Sequence, residues 1–315
     1  MQEQEGTVVK STGSRYRLIM EDGEIIEAGL KGKFRLEGNR STNPVAVGDT
    51  VLVEVQDAGN VISQIRPRRN HIKRKSINLS KESHVLAANI DLLVLVVTLS
   101  SPFTPTEFID RVLLNAEVYG IKPMLIFNKV DLYGEKEDAL YEELSKTYAK
   151  IGYDTIRLDA LTSDMSDFEK TLKDKKSFFI GQSGVGKSTI INRLLPDLAL
   201  KTSEVSESFK TGKHTTTFAE MFPLDFGGYI IDSPGVKAFG IIDLDKEEVA
   251  LYFPEMKQRL DACKFYNCKH INEPKCAVKM ALEEGELAAS RYKSYVSIFQ
   301  DCEEENQFRK PDHLK

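Results

Sequence analysis

Residues 6–67 alternate apolar and polar positions in short runs that turn residues interrupt. Runs with strand character are 7–10, 16–20, 25–30, 34–36, 50–55 and 61–65. Five or so strands within about 60 residues are typical of a small closed barrel, and the OB-fold is the leading candidate. Such barrels often bind oligonucleotides on one face. An SH3-like barrel that serves only as a spacer is the alternative.

From residue 90 onward the pattern changes to buried strands that alternate with amphipathic helices. The strand-like runs are 90–99, 123–127, 153–158 and 178–180, and the helical runs are 106–119, 136–150, 165–172 and 187–195. This alternation predicts an α/β architecture, a parallel sheet with helices on both faces. A hairpin-like pair follows at 218–224 and 229–231, and helical spacing returns at 247–260 and 277–299.

Composition is that of an ordinary globular protein, with 41% hydrophobic and 29% charged residues in a chain of 315. The longest strongly apolar run, 92–97, is too short to cross a bilayer, and residues 1–10 do not resemble a signal peptide. We therefore expect a cytoplasmic protein with no membrane partner. Four cysteines, three of them clustered, favour metal ligation in a reducing compartment over a disulfide framework.

Charge is distributed unevenly, although the net formal charge is −5. Residues 1–75 hold 13 Lys and Arg against 10 Asp and Glu, so if the protein binds nucleic acid, the N-terminal third is the expected place. The segment 66–75 contains six of these cations. It is either a solvated linker or an extension of a phosphate-contacting surface, where counterion release would drive affinity.

A glycine-rich loop follows the strand-like run 178–180 and opens the helix at Lys187, which matches G-x-x-x-x-G-K-[ST] in its required context. Its glycines lack Cβ, so successive N–H groups can turn inward onto a polyphosphate. Lys187 can reach the β and γ phosphates, and the Ser188 hydroxyl can bind Mg2+. We expect nucleotide contacts from Gly181, Gln182, Ser183, Gly184, Val185, Gly186, Lys187, Ser188 and Thr189. A glycine turn without a ligand is the alternative.

A second loop, Asn128, Lys129, Val130 and Asp131, follows the strand-like run 123–127, at the strand end where open α/β sheets bind ligands. The Asp131 carboxylate can accept hydrogen bonds from N1–H and N2–H2 of guanine, a donor pair that adenine lacks. Asn128 binds the base edge or ties the loops together, and the Lys129 stem covers the base. These residues predict GTP as the nucleotide.

The next strand end carries Asp159, Ala160 and Leu161, whose backbone N–H groups could cap the base. Beyond the phosphate loop lies a polar stretch, 201–217, that ends in threonines. Their hydroxyls predict a loop that closes on Mg2+ and the γ phosphate, with Thr215 and Thr216 as candidate ligands. Asp232 can hold Mg2+ through water, and the Gly235 N–H can contact the γ phosphate.

The expected catalytic set is Lys187, Gly235 and His214. Val236 stands where Ras-like GTPases carry the glutamine that orients the attacking water, so hydrolysis by the isolated chain should be slow. His214 is a candidate to position that water, and the alternative is that it contacts RNA or solvent.

The motifs stand in an unusual order, with the base-selecting loop first, then the phosphate loop, the threonine loop and Asp232. This order predicts a circularly permuted GTPase domain. The second switch then leads directly into whatever follows residue 240, so the γ phosphate can be coupled to a C-terminal unit.

That unit contains Cys263, Cys268, His270 and Cys276 within 14 residues. A Cys3His set with no open position is typical of one structural Zn2+ per chain. The alternative is three structural thiols and an unrelated histidine, and Cys302 is expected to be a packed thiol. Nearby positive groups could add a second RNA contact; they are Lys264, Lys269, His270, Lys275 and Lys279.

Taken together, the chain resembles the RsgA family of bacterial small ribosomal subunit biogenesis GTPases. The resemblance rests on the permuted order, residues 181–188, 212–217 and 43–49, the zinc cluster, and Arg291-Tyr292-x-x-Tyr295. It implies an OB-fold RNA-binding barrel (1–68), a permuted GTPase domain (69–242) and a helical zinc-binding domain (243–315). Ser233 and Asp159 depart from the family pattern, which has Thr and Ser there.

The resemblance implies a phosphoric anhydride hydrolase that acts on GTP in late maturation of the small (30S) subunit. Its expected partners are the small subunit with its rRNA and other assembly factors, and the protein is expected to be a monomer. Two other functions fit the same residues. One is a non-catalytic RNA-binding scaffold that nucleotide stabilises, and the other is an ATP-using small-molecule kinase.

Overall fold

The N-terminal unit is a closed five-stranded barrel in a computed structural model that describes residues 3–13, 15–31, 44–55, 59–75, 83–196, 198, 219–232 and 244–308. Its strands are β1 (Glu3–Ser11), β2 (Tyr16–Met20), β3 (Ile25–Leu30), β4 (Thr50–Glu54) and β5 (Asn60–Ile65). β3 and β5 are parallel, the other neighbours are antiparallel, and β1 pairs with β4 to close the barrel. The predicted barrel is confirmed. The predicted strand at 34–36 lies outside the described residues.

Alternate residues of these strands fill the barrel, as the period-2 pattern requires. Val8, Leu18, Val51, Val53 and Ile62 have no exposed surface. Most of the residues that alternate with them along the strands are polar or half-buried, and the exception, Val9, packs in the core of the central domain. The alternation seen in the sequence is therefore the inside and outside of one barrel wall.

The basic segment 66–75 is not a linker, because half of it forms β6 (His71–Lys75), which pairs with β7 (Ser83–Ala88) in a separate hairpin. Three of its cations are ion-paired. Arg66 contacts Glu5, Arg68 contacts the fully buried carboxylate of Asp49, and Arg69 contacts Asp91. These pairs fasten the hairpin to the barrel and to the domain that follows, and they leave less free positive charge than the sequence suggests.

The central domain is an α/β sheet with two apolar cores, one on each face. Its elements in chain order are β8 (Leu92–Val97), α1 (Thr106–Val118), β9 (Lys122–Phe127), α2 (Glu135–Lys150), β10 (Asp154–Arg157), α3 (Ser166–Leu172), β11 (Lys176–Gly181), α4 (Lys187–Leu194), β12 (Glu220–Pro223) and β13 (Tyr229–Asp232). The strands β10-β9-β8-β11-β13 run parallel, and β12 pairs antiparallel with β13. The predicted parallel sheet and the final hairpin are confirmed.

The barrel and the α/β sheet are joined into one continuous sheet, which the sequence pattern does not predict. β1 pairs antiparallel with β12 at Lys10 and Glu220, and the two side chains form an ion pair at 2.9 Å. Because the join consists of backbone pairing between distant segments, no local pattern could reveal it.

The C-terminal unit is helical, but its helices are shorter than predicted. Residues 247–260 divide into a 3₁₀ helix (Lys246–Tyr252), α5 (Pro254–Lys257) and a 3₁₀ turn (Leu260–Ala262). Pro254 has no N–H to continue the preceding helix and instead occupies the first turn of the next.

The second predicted helix, 277–299, also divides in two. It forms α6 (Ala277–Glu283) and α7 (Ala289–Phe308), and Gly285, at φ +73°, lies between them. A third apolar core fills this unit and includes Leu114 of α1. Among the described residues, no helix combines the length and the apolar content that a membrane crossing requires.

Candidate nucleotide and zinc sites

Four of the predicted nucleotide-binding segments lie where parallel strands of the central sheet end. β9 leads into Asn128, β10 into the loop that contains Asp159, β11 into the glycine-rich loop, and β13 ends at Asp232. Parallel strands place their carboxyl ends along one edge, where open α/β sheets bind ligands. The sheet therefore brings together groups that lie far apart in sequence.

The glycine-rich loop needs its glycines for two separate physical reasons. Gly184 and Gly186 have φ of +86° and +92°, a region that L side chains rarely adopt. A Cβ on Gly186 would also lie 2.2 Å from Asn128 Nδ2, and one on Gly181 would lie 2.6 Å from the Val96 carbonyl oxygen. The loop is thus pressed against β8 and against the base-selecting loop.

The predicted phosphate-binding residues surround the start of α4. Ser183, Gly184 and Ser188 are exposed, Gln182 and Thr189 are half-buried, and Val185 is fully buried as the anchor of the loop. Lys187 Nζ donates to Asp232 Oδ1, so the two charged residues predicted for phosphate and magnesium neutralise each other. The start of α4 also contributes unpaired N–H groups and partial positive charge.

Asn128 fastens three loops together. Its Nδ2 donates to the Val185 carbonyl at 2.8 Å, its Oδ1 accepts from the Ala160 N–H at 2.9 Å, and its side chain lies in the interior with only 1% of the residue exposed. Of the two roles that the sequence left open, tying the loops together is therefore the one that the geometry provides. A buried amide with both ends bonded holds its neighbours firmly.

The remaining base-selecting residues stand at the rim of the same edge. Lys129 adopts a left-handed conformation at φ +61°, and its Nζ donates to the Ser101 carbonyl at 2.9 Å. Val130 is half-buried, and Asp131 is exposed on a 3₁₀ turn (Val130–Leu132). The carboxylate of Asp131 is thus accessible to a ligand.

Two amides of the Asp159 loop that were expected to face the base already have hydrogen-bond partners in the protein. The Ala160 N–H donates to Asn128, and the Leu161 N–H donates to Asp159 Oδ1 at 2.9 Å. A hydrogen bond from the Thr162 hydroxyl, supported by the Leu161 amide, lowers the pKa of Asp159. This carboxylate therefore organises its own turn, and capping the base with these two amides requires rearrangement.

The switch residues lie outside the described residues. These are His214, Thr215, Thr216 and Gly235, together with the neighbouring Ser233 and Val236.

One segment of this edge was missed at the level of sequence, namely residues 98–105, which join β8 to α1 and are called the 98–105 loop below. Its Ser101 carbonyl holds Lys129, and Pro102 lies 3.5 Å from where a Cβ on Gly184 would stand. The signal was available, because this loop also follows the carboxyl end of a parallel strand.

The C-terminal unit contains a separate cluster of four metal-ligating groups: Cys263, Cys268, His270 and Cys276. Their ligand atoms all lie within 4.8 Å of one another, and His270 Nδ1 is 3.6 and 3.3 Å from the sulfurs of Cys263 and Cys276. Tetrahedral Zn2+ with ordinary bond lengths would separate nitrogen from sulfur by about 3.6 Å. The donor set and its spacing therefore fit a structural zinc ion.

The surroundings of the cluster also suit a divalent cation. Burial lowers the pKa of His270, which leaves a neutral imidazole able to act as a ligand. Tyr292 and Tyr295 donate hydroxyl hydrogen bonds to the carbonyls of His270 and Lys269 at 2.8 and 2.7 Å. These bonds fix the backbone that presents the ligands, in the manner of an outer coordination shell.

A P-loop and a base-selecting loop that precedes it in sequence, both on one edge of a parallel sheet, define a circularly permuted P-loop GTPase. A family model described as RsgA GTPase matches residues 65–242, and one described as RsgA N-terminal domain matches residues 5–62. The chain belongs to the RsgA GTPase family.

Relatives and solved structures agree with this membership. A small ribosomal subunit biogenesis GTPase RsgA from Christiangramia forsetii is 50% identical, over 99% of this chain and 100% of the relative. One from Bacteroides fragilis is 49% identical, over 95% of this chain and 97% of the relative. The crystal structure of YjeQ from Thermotoga maritima is 34% identical with a TM-score of 0.78, over 96% of this chain and 99% of that one. The structure of YloQ, described as a circularly permuted GTPase, is 28% identical with a TM-score of 0.75, over 99% of this chain and 98% of that one.

Proposed function

We propose that this protein is a GTP-hydrolysing assembly factor in late maturation of the small ribosomal subunit. It binds rRNA in the GTP state and leaves after hydrolysis that the subunit stimulates. The observation that carries the proposal is the attachment of the base-selecting loop to the phosphate loop by Asn128. The relatives named above are small ribosomal subunit biogenesis GTPases, which supports the choice of partner.

Guanine selection falls to the exposed Asp131, whose carboxylate accepts from N1–H and N2–H2 of the base. Lys129 covers one face of the base with its aliphatic stem, since its Nζ is already directed to the Ser101 carbonyl. Adenine would leave the carboxylate without donors, and unpaired polar groups of this kind discriminate by roughly 10⁴-fold. The site therefore favours GTP over ATP.

Phosphate binding requires the ion pair between Lys187 and Asp232 to open. The Lys187 ammonium moves to the β and γ phosphates, where it meets more negative charge than one carboxylate supplies. Asp232 would thereby be free to hold Mg2+ through water, and the exposed Ser188 hydroxyl would serve as a further ligand. When bound, the ion would neutralise negative charge on the phosphates.

The threonine loop (201–217) and the second switch, which begins at Asp232, carry side chains and amides that would complete the site. Thr215 and Thr216 supply magnesium ligands, and the Gly235 N–H contacts the γ phosphate. His214 positions the attacking water when a partner is bound, which makes turnover dependent on that partner.

Three units divide the work, with limits at 1–68, 69–242 and 243–315. The barrel supplies one RNA surface and the zinc unit a second, where Tyr266 is fully exposed and Lys264 Nζ lies 5.1 Å from the Phe265 ring. Exposed aromatic rings beside cations are typical of single-stranded RNA contacts. The protein acts as a cytoplasmic monomer beside other assembly factors.

The decisive experiment compares GTP turnover with and without purified small ribosomal subunits. We expect slow turnover alone, strong acceleration by subunits, and loss of both in Lys187→Ala. Equal turnover with and without subunits would overturn the stimulated switch. If Lys187→Ala still supports subunit maturation in cells, the protein is a scaffold that nucleotide only stabilises.

Base selection is tested with Asp131→Asn and xanthosine triphosphate. Xanthine carries a carbonyl where guanine carries the 2-amino group, so an asparagine amide can donate to it while the wild-type carboxylate repels it. We expect the variant to lose GTP and to accept the xanthine nucleotide. Asp154→Asn, whose carboxylate pairs with Lys122 and belongs to neither predicted loop, is the matched control. Competition by ATP for the wild-type site would instead favour a kinase.

A further inference from the structure

The 98–105 loop touches both halves of the proposed nucleotide site, although no sequence motif marks it. Its Ser101 carbonyl accepts a hydrogen bond from Lys129 Nζ at 2.9 Å, and the ring of Pro102 lies beside Gly184 of the phosphate loop. The Val97 carbonyl, just before the loop, accepts the Asn128 N–H at 2.8 Å. Movement of this loop would therefore displace residues that face the base and the phosphates.

Two buried threonines set the shape of the loop. Thr98 N–H donates to the Thr104 hydroxyl at 3.1 Å, and Thr104 N–H donates to the Thr98 carbonyl at 2.9 Å. The Thr98 hydroxyl donates in turn to the Pro102 carbonyl. Neither threonine has exposed surface, so water cannot replace these bonds. The loop is a closed ring that positions the Ser101 carbonyl.

Directly after this loop, α1 connects the nucleotide edge to the zinc unit. Val112 and Leu113 of α1 pack in the core of the central domain, whereas Leu114 packs in the core of the zinc unit. The helix is therefore a direct physical connection between the two cores, the kind of packed element through which sites can be coupled.

A buried charge cluster links α1 to the zinc unit. Arg291 of α7 donates to Asp110 Oδ1 at 2.7 Å and to both carboxylate oxygens of Glu255, at 2.7 and 3.1 Å. Tyr148 of α2 donates its hydroxyl to the same oxygen of Asp110 at 2.9 Å. Asp110 and Arg291 are 0% and 2% exposed, so their pairing depends on one arrangement of the helices.

We propose that the 98–105 loop is a positioning element of the nucleotide site, and that the Asp110–Arg291 pair sets its position through α1. Thr104 positions Lys129 by fixing the shape of the loop. Asp110 positions the loop by fixing α1, the helix that follows it. The position of the zinc unit thus influences Lys129, on the guanine side of the pocket, through α1 and the 98–105 loop rather than through the second switch. The inference rests on the proposed GTP site.

The test measures GDP affinity and unfolding midpoint in Thr104→Val, Thr104→Ser and Asp110→Asn. Loss of one hydrogen bond that positions Lys129 should weaken GDP by about fivefold in Thr104→Val, and Thr104→Ser should restore binding because the hydroxyl remains. Asp110→Asn keeps the shape of the side chain and should weaken GDP by a similar factor. Hydrogen exchange of the Thr98 and Thr104 amides should slow when GDP binds to the wild type.

Asp301→Asn is the matched control, because Asp301 pairs with Arg111 across the same two helices at 2.6 Å but at the surface. It should leave GDP affinity unchanged. A purely structural role would lower the unfolding midpoint of the variants while GDP affinity stayed at the wild-type value, and that result overturns the inference. If Asp110→Asn does not fold, the Thr104 pair decides the role of the loop, and Tyr148→Phe, which removes one hydrogen bond to Asp110, decides the role of the charge pair by the same GDP measurement. A wild type that binds no guanine nucleotide refutes the proposed function instead.

Discussion

Replacing Asn128 by alanine should separate the two halves of the nucleotide site. The change removes the donor to the Val185 carbonyl and the acceptor of the Ala160 N–H, both within 2.9 Å of the side chain and both inside the protein. Each unsatisfied buried group costs about 1–3 kcal/mol, so the pair costs about 2–4 kcal/mol when some relaxation is allowed. If the whole of that cost is lost from the free energy of GDP binding, the Kd for GDP rises roughly thirtyfold to several hundredfold.

Titration with a fluorescent GDP analogue measures this loss, and urea unfolding shows how much of it is global. Asn128→Asp tests the two hydrogen bonds separately. It keeps the acceptor for the Ala160 N–H but replaces the donor to the Val185 carbonyl by a carboxylate oxygen, which that carbonyl repels. Asn115→Ala is the control, because Asn115 is also buried and its Nδ2 donates to the Arg111 carbonyl, within α1. An Asn128→Ala variant that binds GDP within twofold of the wild type refutes the argument.

Two further predictions concern a glycine and a cysteine. Gly186→Ala should abolish detectable GDP binding, since its Cβ would lie 2.2 Å from Asn128 Nδ2. Gly285→Ala is the control: this glycine has φ +73° and open space around it, so the change should cost only about 1–2 kcal/mol of stability. Similar GDP affinities in the two variants would contradict the predicted clash. Cys276→Ser should reduce zinc, measured by mass spectrometry, from about one ion per chain and lower the melting temperature. Cys302→Ser should keep the full zinc content, and zinc retained by Cys276→Ser at the wild-type level argues against the ligand set.

Much of the fold followed from local patterns. Alternation with period 2 predicted the barrel, and buried strands between amphipathic helices predicted the parallel sheet. Patterns of this kind report the environment of consecutive residues, which is why they succeeded for whole elements. They failed where a single residue interrupts an otherwise periodic stretch, as Pro254 and Gly285 do in the zinc unit.

The sequence by itself determined which chemical groups are present and in what order. The glycines of the phosphate loop, the carboxylate of Asp131 and the four zinc ligands are each recognisable from spacing, because a turn or a metal site places strict demands on neighbouring residues. The permuted order of the motifs is likewise a property of the chain alone.

Only the tertiary structure decided how these groups are held. Asn128 joins loops that begin at three different strands, Lys187 is paired with Asp232, and Arg291 meets Asp110 across 181 residues of chain. Such contacts depend on the packing of whole elements against one another, and no local periodicity encodes a partner at that separation. The motifs are local, but the pocket that they form is a consequence of the sheet.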